Sequence, residues 1–160
     1  MLIMLISSIA VSPPVKLALV EARLLDCIIV AMNRFQHHEL LQEQGCRGVT
    51  TLSKGVEEIK TYLADRQDEL QVIEAIHTAL TTFHSVAAVV EAGCSAVWSV
   101  AFKNVRMKNR AGDVGVFATV IDLIREHATA LGLLPHAFVA IGNLSANHAP
   151  NQATALPFAL

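Results

Sequence analysis

Of the 160 residues, 53% are apolar yet only 5% aromatic, and the 16% that are charged leave a net charge near −2. A chain of this length can bury a sizeable core, and a stock of Ala, Leu and Val with few rings favours closely approaching helices, an all-α reading. The sparse, slightly acidic charge lacks the basic footprint of a nucleic-acid binder and argues against DNA or RNA as a partner.

The chain opens Met-Leu-Ile-Met-Leu-Ile-Ser-Ser-Ile-Ala-Val before Ser12-Pro13-Pro14. This run lacks a positively charged leader and is too short to span a bilayer, so it reads as the last turns of a helix from an incomplete preceding unit, with a signal peptide as the alternative. From Val15 to Gln36, Leu17, Val20, Leu24, Leu25, Ile28, Ile29 and Met32 recur at helical spacing, which predicts one helix ending near His37-His38. A second helix runs from Glu39 to about Ser53 with Leu40, Leu41, Gly45, Val49 and Leu52 facing inward. Gly45 costs about 1 kcal/mol relative to Ala in a helix interior, which points to two helix backbones approaching too closely for a side chain.

Gly55 breaks the pattern, and Val56 to Leu63 reads as a short linking helix. Asp65-Arg66-Gln67-Asp68 is expected to be a polar turn capping a helix from Glu69 to Phe83. Ser85 is the expected N-cap of the next helix, which passes through Trp98 to about Phe102, and Lys103 to Asn109 reads as a loop. Gly112 and Gly115 flank a step into a helix from Val116 to His127, and Gly132 ends the connection. Pro135 then suits the first turn of a helix continuing to about Ser145. Asn147 to Leu160 holds another loop and the opening of a further unit.

Self-similarity organises these pieces. A shift of 48 lays Glu21 on Glu69, Ile28 on Ile76, Ala31 on Ala79, Phe35 on Phe83, Glu43 on Glu91, Gly45 on Gly93, Cys46 on Cys94 and Val49 on Val97 without a gap. A further shift of 44 answers Ala96, Val97, Val100 and Ala101 with Ala140, Ile141, Leu144 and Ser145. A helical unit recurring every 40-odd residues is the signature of a solenoid whose units bury their apolar faces against one another.

The phrases Leu41-Gln42-Glu43-Gln44-Gly45-Cys46, Ala92-Gly93-Cys94-Ser95-Ala96-Val97-Trp98 and Ala140-Ile141-Gly142-Asn143-Leu144-Ser145-Ala146-Asn147 resemble third helices of armadillo repeats. Asn109-Arg110 and Asn151-Gln152 resemble the pair that opens the following repeat. The resemblance covers most of the chain from about Ala18. It implies a right-handed α-α superhelix, an armadillo-type solenoid of about three repeats with incomplete units at both ends. The units fall at 1–14 (end of a preceding unit), 15–55, 56–104, 105–147 and 148–160 (start of another).

In that family the third helices line a concave groove that receives extended peptides. The resemblance places Arg47, Thr51, Ser95, Ser99, Val139 and Asn143 on the groove rows. In importin-α these rows carry tryptophans and asparagines. Here Arg47, Ser95 and Val139 replace the tryptophans and only Asn143 keeps the amide, which argues against a basic nuclear-localisation peptide held by that mechanism. Trp98, the only tryptophan, is either an anchor for a partner or filling for the seam between repeats.

No catalytic or metal chemistry is legible. His37-His38-Glu39 lacks the spacing that converges on zinc, and Cys94 with His77 or His84 sits in an Ala/Val-rich helix instead of a thiolate-stabilising cleft. Gly112-Asp113-Val114-Gly115 lacks a dinucleotide fingerprint and no nucleophile elbow occurs. Cys27, Cys46 and Cys94 read as small buried hydrophobes of a reducing compartment, cytosol or nucleus. The expectation is a non-enzymatic scaffold without cofactor or metal that binds a protein or peptide, not nucleic acid and not membrane. The alternative is a fragment of a larger chain whose apolar ends self-associate or dock onto a signalling or enzymatic domain.

Overall fold

The computed structural model describes residues 12–129, 132 and 134–155, and every regular element among them is a helix. In chain order these are α1 (Pro13–Glu21), α2 (Leu24–Arg34), α3 (Glu39–Ser53), α4 (Glu57–Asp65), α5 (Gln67–Leu70), α6 (Val72–Thr82), α7 (Ala87–Ala101), α8 (Val105–Val114), α9 (Val116–Glu126), α10 (Leu134–Ser145) and α11 (Ala149–Ala155). The helix expected within residues 1–11, and residues 156–160, lie outside the described residues.

A short helix, one of 11 residues and then a longer one follow each other three times, as α1–α2–α3, α4–α6–α7 and α8–α9–α10. The junctions between them share one backbone device. Arg23 (φ 63°), Gln71 (φ 54°) and Gly115 (φ 89°) turn the chain from the first helix into the second. Gly55 (φ 79°), Lys103 (φ 58°) and Asn147 (φ 53°) turn it after the third. Both trios step by 48 and then 44 positions. The left-handed region costs an L-residue roughly 1–2 kcal/mol, so only the glycines and Asn147 advertise these corners in the sequence.

The unadvertised corners account for three differences from the sequence reading. The single helix expected over Val15 to Gln36 is two, broken at Arg23; the helix expected from Glu69 is likewise interrupted at Gln71. The expected loop over Lys103 to Asn109 is one corner residue followed by α8, whose N-cap Asn104 accepts from the Met107 N–H at 3.1 Å. Capping differs too. Val86, not Ser85, precedes α7. In the expected capping stretch Asp65–Asp68, which is helical except at Arg66, it is Gln67 that serves α6, accepting from the Ile73 N–H at 3.3 Å while donating to Glu74.

Packing proceeds along the chain. The middle helix of each trio lies on the long one (α2 on α3, α6 on α7, α9 on α10), long helix packs on long helix (α3 on α7, α7 on α10), and middle on middle (α2 on α6, α6 on α9). The buried side chains form one continuous cluster, from Val20 and Leu25 through Ile73, Ile76 and Val97 to Val120 and Leu144. The α3–α7 seam is built from small residues. Cys46, Val49, Cys94, Ala96 and Val97 are all fully buried, and the Ser53 and Ser99 hydroxyls meet across it at 2.9 Å. Cys27, by contrast, is exposed, so only two of the three cysteines are the expected core hydrophobes.

Polar contacts repeat as well: their acceptors step by 48 and then 44, while the basic side chains that reach them step by 44 first. Arg66, the residue that follows α4, pairs with Asp26 of the preceding middle helix at 2.9 Å, and Arg110 on α8 pairs with Glu74 of α6. Lys16, Lys60 and Lys108, one from each first helix, donate to the carbonyls of Lys54, Phe102 and Ala146, the residues that follow the three long helices. A cation against the last carbonyls of a helix satisfies orphan acceptors and opposes the negative end of the helix dipole.

Candidate partner-binding groove

Because α3, α7 and α10 lie against each other in order, their outer turns enclose a row of connected depressions. The first is lined by Arg47, Thr51, Glu91, Ser95 and His136. The second shares Thr50, Ser95 and His136 with it and adds Lys54, Trp98, Pro135 and Val139. The third shares Lys54 and Trp98 with the second and continues to Glu57, Lys60 and Phe102. Shared walls make these one trough, polar at the Arg47 end and apolar around Trp98.

At the polar end Arg47 is held by Glu43 at 2.9 Å, with its guanidinium 4.0 Å from Glu91. Glu91 lies 3.8 Å from His136, and His136 shares a 3.0 Å hydrogen bond with Ser95. Glu91 thus sits between groups from α3 and α10, a place its recurrence in sequence did not disclose. At the apolar end Trp98 is half-buried, the Lys54 ammonium lies 5.3 Å from its ring centroid, and the Phe102 ring is 6.2 Å away. Val139 on the opposite wall is 49% exposed.

The groove residues expected from sequence are therefore brought close together, with unequal exposure. Arg47, Thr51, Ser95, Trp98 and Val139 line the trough. Asn143 lies in an adjoining depression past Phe102, and its amide donates to the Trp98 carbonyl at 3.0 Å, which couples α10 to α7. Ser99 is the most withdrawn of them. It lines the third depression but is only 2% exposed, its hydroxyl meeting that of Ser53 and donating to the Ala96 carbonyl. Four residues along a helix sweep about 400°, so a row that begins outward at Ser95 has turned roughly 40° toward the α3 seam at Ser99. Lys54 and Phe102 were missed because they lie just past the helix ends, beyond any i, i+4 row.

The glycines of the long helices are explained by contact with side chains, not by backbones meeting as their helix-interior positions suggest. A Cβ on Gly45 would sit 2.5 Å from Met32 Cγ, and one on Gly93 2.5 Å from Leu80 Cδ2. Met32 and Leu80 are themselves 48 positions apart, so the same knob from the middle helix enters the same gap in the long one.

Burial pushes the Cys46 and Cys94 thiols up to about 12, far from a reactive thiolate. His77 bonds to Thr119 at 2.9 Å and has its pKa lowered by burial against an opposing pull from Glu74, while His84 bonds to Glu126 at 2.8 Å. Neither is engaged with Cys94. His38 caps α3, its Nδ1 accepting from the Leu41 N–H at 3.3 Å. Among the described residues no group of three His, Cys, Asp or Glu is placed to hold a metal ion, and no helix is long and apolar enough to cross a membrane. Comparison with known protein families, with characterised proteins and with solved structures gives no match.

Proposed function

We propose that the chain is an armadillo-type right-handed superhelix of about three repeats, with units at 15–55, 56–104 and 105–147, acting as a non-catalytic scaffold in the cytosol or nucleus. A partner protein lays an extended segment in the trough over α3, α7 and α10. The superhelix reading is supported by the offsets of 48 and 44, which recur in sequence, in the left-handed corner residues and in the lysine–carbonyl and arginine–carboxylate contacts. The binding reading is carried by one observation above the rest: the only tryptophan stands half-exposed in the middle of a continuous trough, between Lys54 and Val139. Large rings in sheltered depressions are the residues on which interface energy concentrates.

The test is capture by the intact chain of partners from extract, repeated with Trp98→Ala and with Val139→Glu. Loss of the same captured proteins in both variants, with melting unchanged, supports the trough. Retention of every one of them by both variants removes it.

A second reading is favoured by Phe138, which is 56% exposed although its counterparts Cys46 and Cys94 are fully buried. On that reading the outer face of α10 docks a further domain or another copy.

A further inference from the structure

All five lysines of the chain, Lys16, Lys54, Lys60, Lys103 and Lys108, gather where the long helices end. Three of them have structural work there. Lys16, Lys60 and Lys108 donate to the carbonyls that follow α3, α7 and α10, at 2.9, 3.5 and 2.7 Å. Lys60, 3% exposed, is also neutralised by Glu57 at 2.8 Å.

Lys54 and Lys103 do neither. No carboxylate pairs with them among the described residues, and both side chains are exposed. Each ammonium is parked over a ring: Lys54 Nζ 5.3 Å from the Trp98 centroid, Lys103 Nζ 5.4 Å from that of Phe102. Most arginines behave differently: Arg23, Arg47, Arg66, Arg106, Arg110 and Arg125 pair with carboxylates, and Arg34 instead lies over the ring of Phe35. A protein of net charge near −2 therefore holds its uncommitted ammonium groups at the apolar end of the trough, Lys54, and in the depression that adjoins it past Phe102, Lys103.

We propose that the trough selects an acidic partner segment, which seats an apolar side chain between Trp98 and Val139 and sets carboxylates on Lys54 and Lys103. This rests on the groove reading above and adds the chemistry of the occupant. Ring contact holds each ammonium in place before binding, so little side-chain freedom is lost when a carboxylate arrives. A basic segment meets like charge at this end, and such juxtaposition is a strong bar to a wrong partner. A nucleic-acid strand needs a long track of cations on its phosphates, and every arginine but Arg34 is committed to a carboxylate among the described residues.

The test is selection of a displayed random peptide library on the intact chain. It is followed by titration of a synthetic acetyl-Gly-Asp-Glu-Leu-Asp-Glu-Gly-amide, read by Trp98 fluorescence, against versions with Lys or with Gln in place of the acids. Selected sequences should be rich in Asp and Glu around an apolar residue, and the acidic peptide should bind at least tenfold tighter than the other two. Lys54→Glu with Lys103→Glu should cost at least tenfold in affinity. The milder Lys54→Gln with Lys103→Gln should cost less, and Arg34→Glu on α2 nothing.

Selection of apolar peptides with no acidic bias, bound equally by the lysine variants, overturns this inference and leaves the groove reading standing. No selection, with Trp98 fluorescence unmoved by all three peptides, overturns both. Tighter Lys54- and Lys103-dependent capture of duplex DNA or of phosphatidylserine vesicles than of any acidic peptide overturns the acidic-segment assignment.

Discussion

Gly93 lies beneath the isobutyl group of Leu80, so closely that an added Cβ would fall 2.5 Å from Cδ2 and 2.9 Å from Cγ. Alanine is the better helix former by about 1 kcal/mol, but overpacking a filled site costs about 1–3 kcal/mol. Gly93→Ala should therefore lower stability in urea melts by about 1 kcal/mol. Gly45→Ala meets the unbranched, adaptable thioether of Met32 and should cost less. Adding Leu80→Val to Gly93→Ala should recover part of the loss. A more stable Gly93→Ala protein would mean that the glycine is not there to admit Leu80.

Thiol chemistry gives an independent check on the seam between α3 and α7. Cys27 is exposed whereas Cys46 and Cys94 are fully buried, so one thiol should react at once with a disulfide reagent under native conditions and three after unfolding. The pH dependence follows in sign. The folded protein keeps both buried thiols protonated to about 12, while the unfolded chain releases those protons from about 9 upward. Stability contributed by this pair is full below pH 9 and is lost as pH rises from there toward 12, by up to about 1.4 kcal/mol per pH unit for each thiol. Cys46→Ala should shallow that decline in alkaline denaturant melts; an unchanged slope would contradict the burial.

Much of the helical plan was legible because its signals are local. Glu39–Ser53 and Pro135 in the first turn of α10 were readable from apolar spacing and helix-start chemistry, though Leu40, expected to face inward, is 60% exposed, and Gly55 and Gly115 marked corners by their residue type. Arg23, Gln71 and Lys103 perform the same turns with side chains that ordinarily sit inside helices, so one helix was read where there are two and a loop where there is α8. The site shows a similar divide. The row Arg47, Ser95, Val139 could be counted along a helix, but the inward turn of Ser99 and the arrival of Lys54 beside Trp98 depend on how α3 and α7 cross. The lysine series 16, 60, 108 was missed because it runs out of step with the phrases that reveal the long helices.

Tyr62, the only tyrosine, reports on the contact between the first two helical trios. Its hydroxyl donates to Asp26 at 2.6 Å and accepts from Arg66 at 2.7 Å. Burial first, and then the hydrogen bond and charge of Asp26, hold its pKa above the usual 10, with Arg66 pulling the other way. Ultraviolet titration of the intact protein should show a phenol that ionises above the ordinary range. Asp26→Asn should bring it partway down, because burial remains when the charge is gone. Arg66→Gln should move it up. A phenol at the ordinary value in all three proteins would show that Tyr62 does not join α4 to α2 in solution.

Phe138 occupies the place on α10 that Cys46 holds on α3 and Cys94 on α7, and Ile141 follows it as Val97 follows Cys94. On α3 and α7 these positions are sealed by the next long helix, whereas Phe138 is 56% exposed and Ile141 only partly covered. A large ring beside an aliphatic side chain is the kind of apolar surface that favours association, and its burial would contribute about 1.5–3 kcal/mol. Light scattering over a concentration series should show association that Phe138→Ser weakens. The melting midpoint should barely move, since exposed substitutions usually fall within about 0.5 kcal/mol. A large fall in melting would instead place the Phe138 ring inside the fold. A monodisperse wild-type protein at every concentration would remove self-association and leave the α10 face to a partner of another kind.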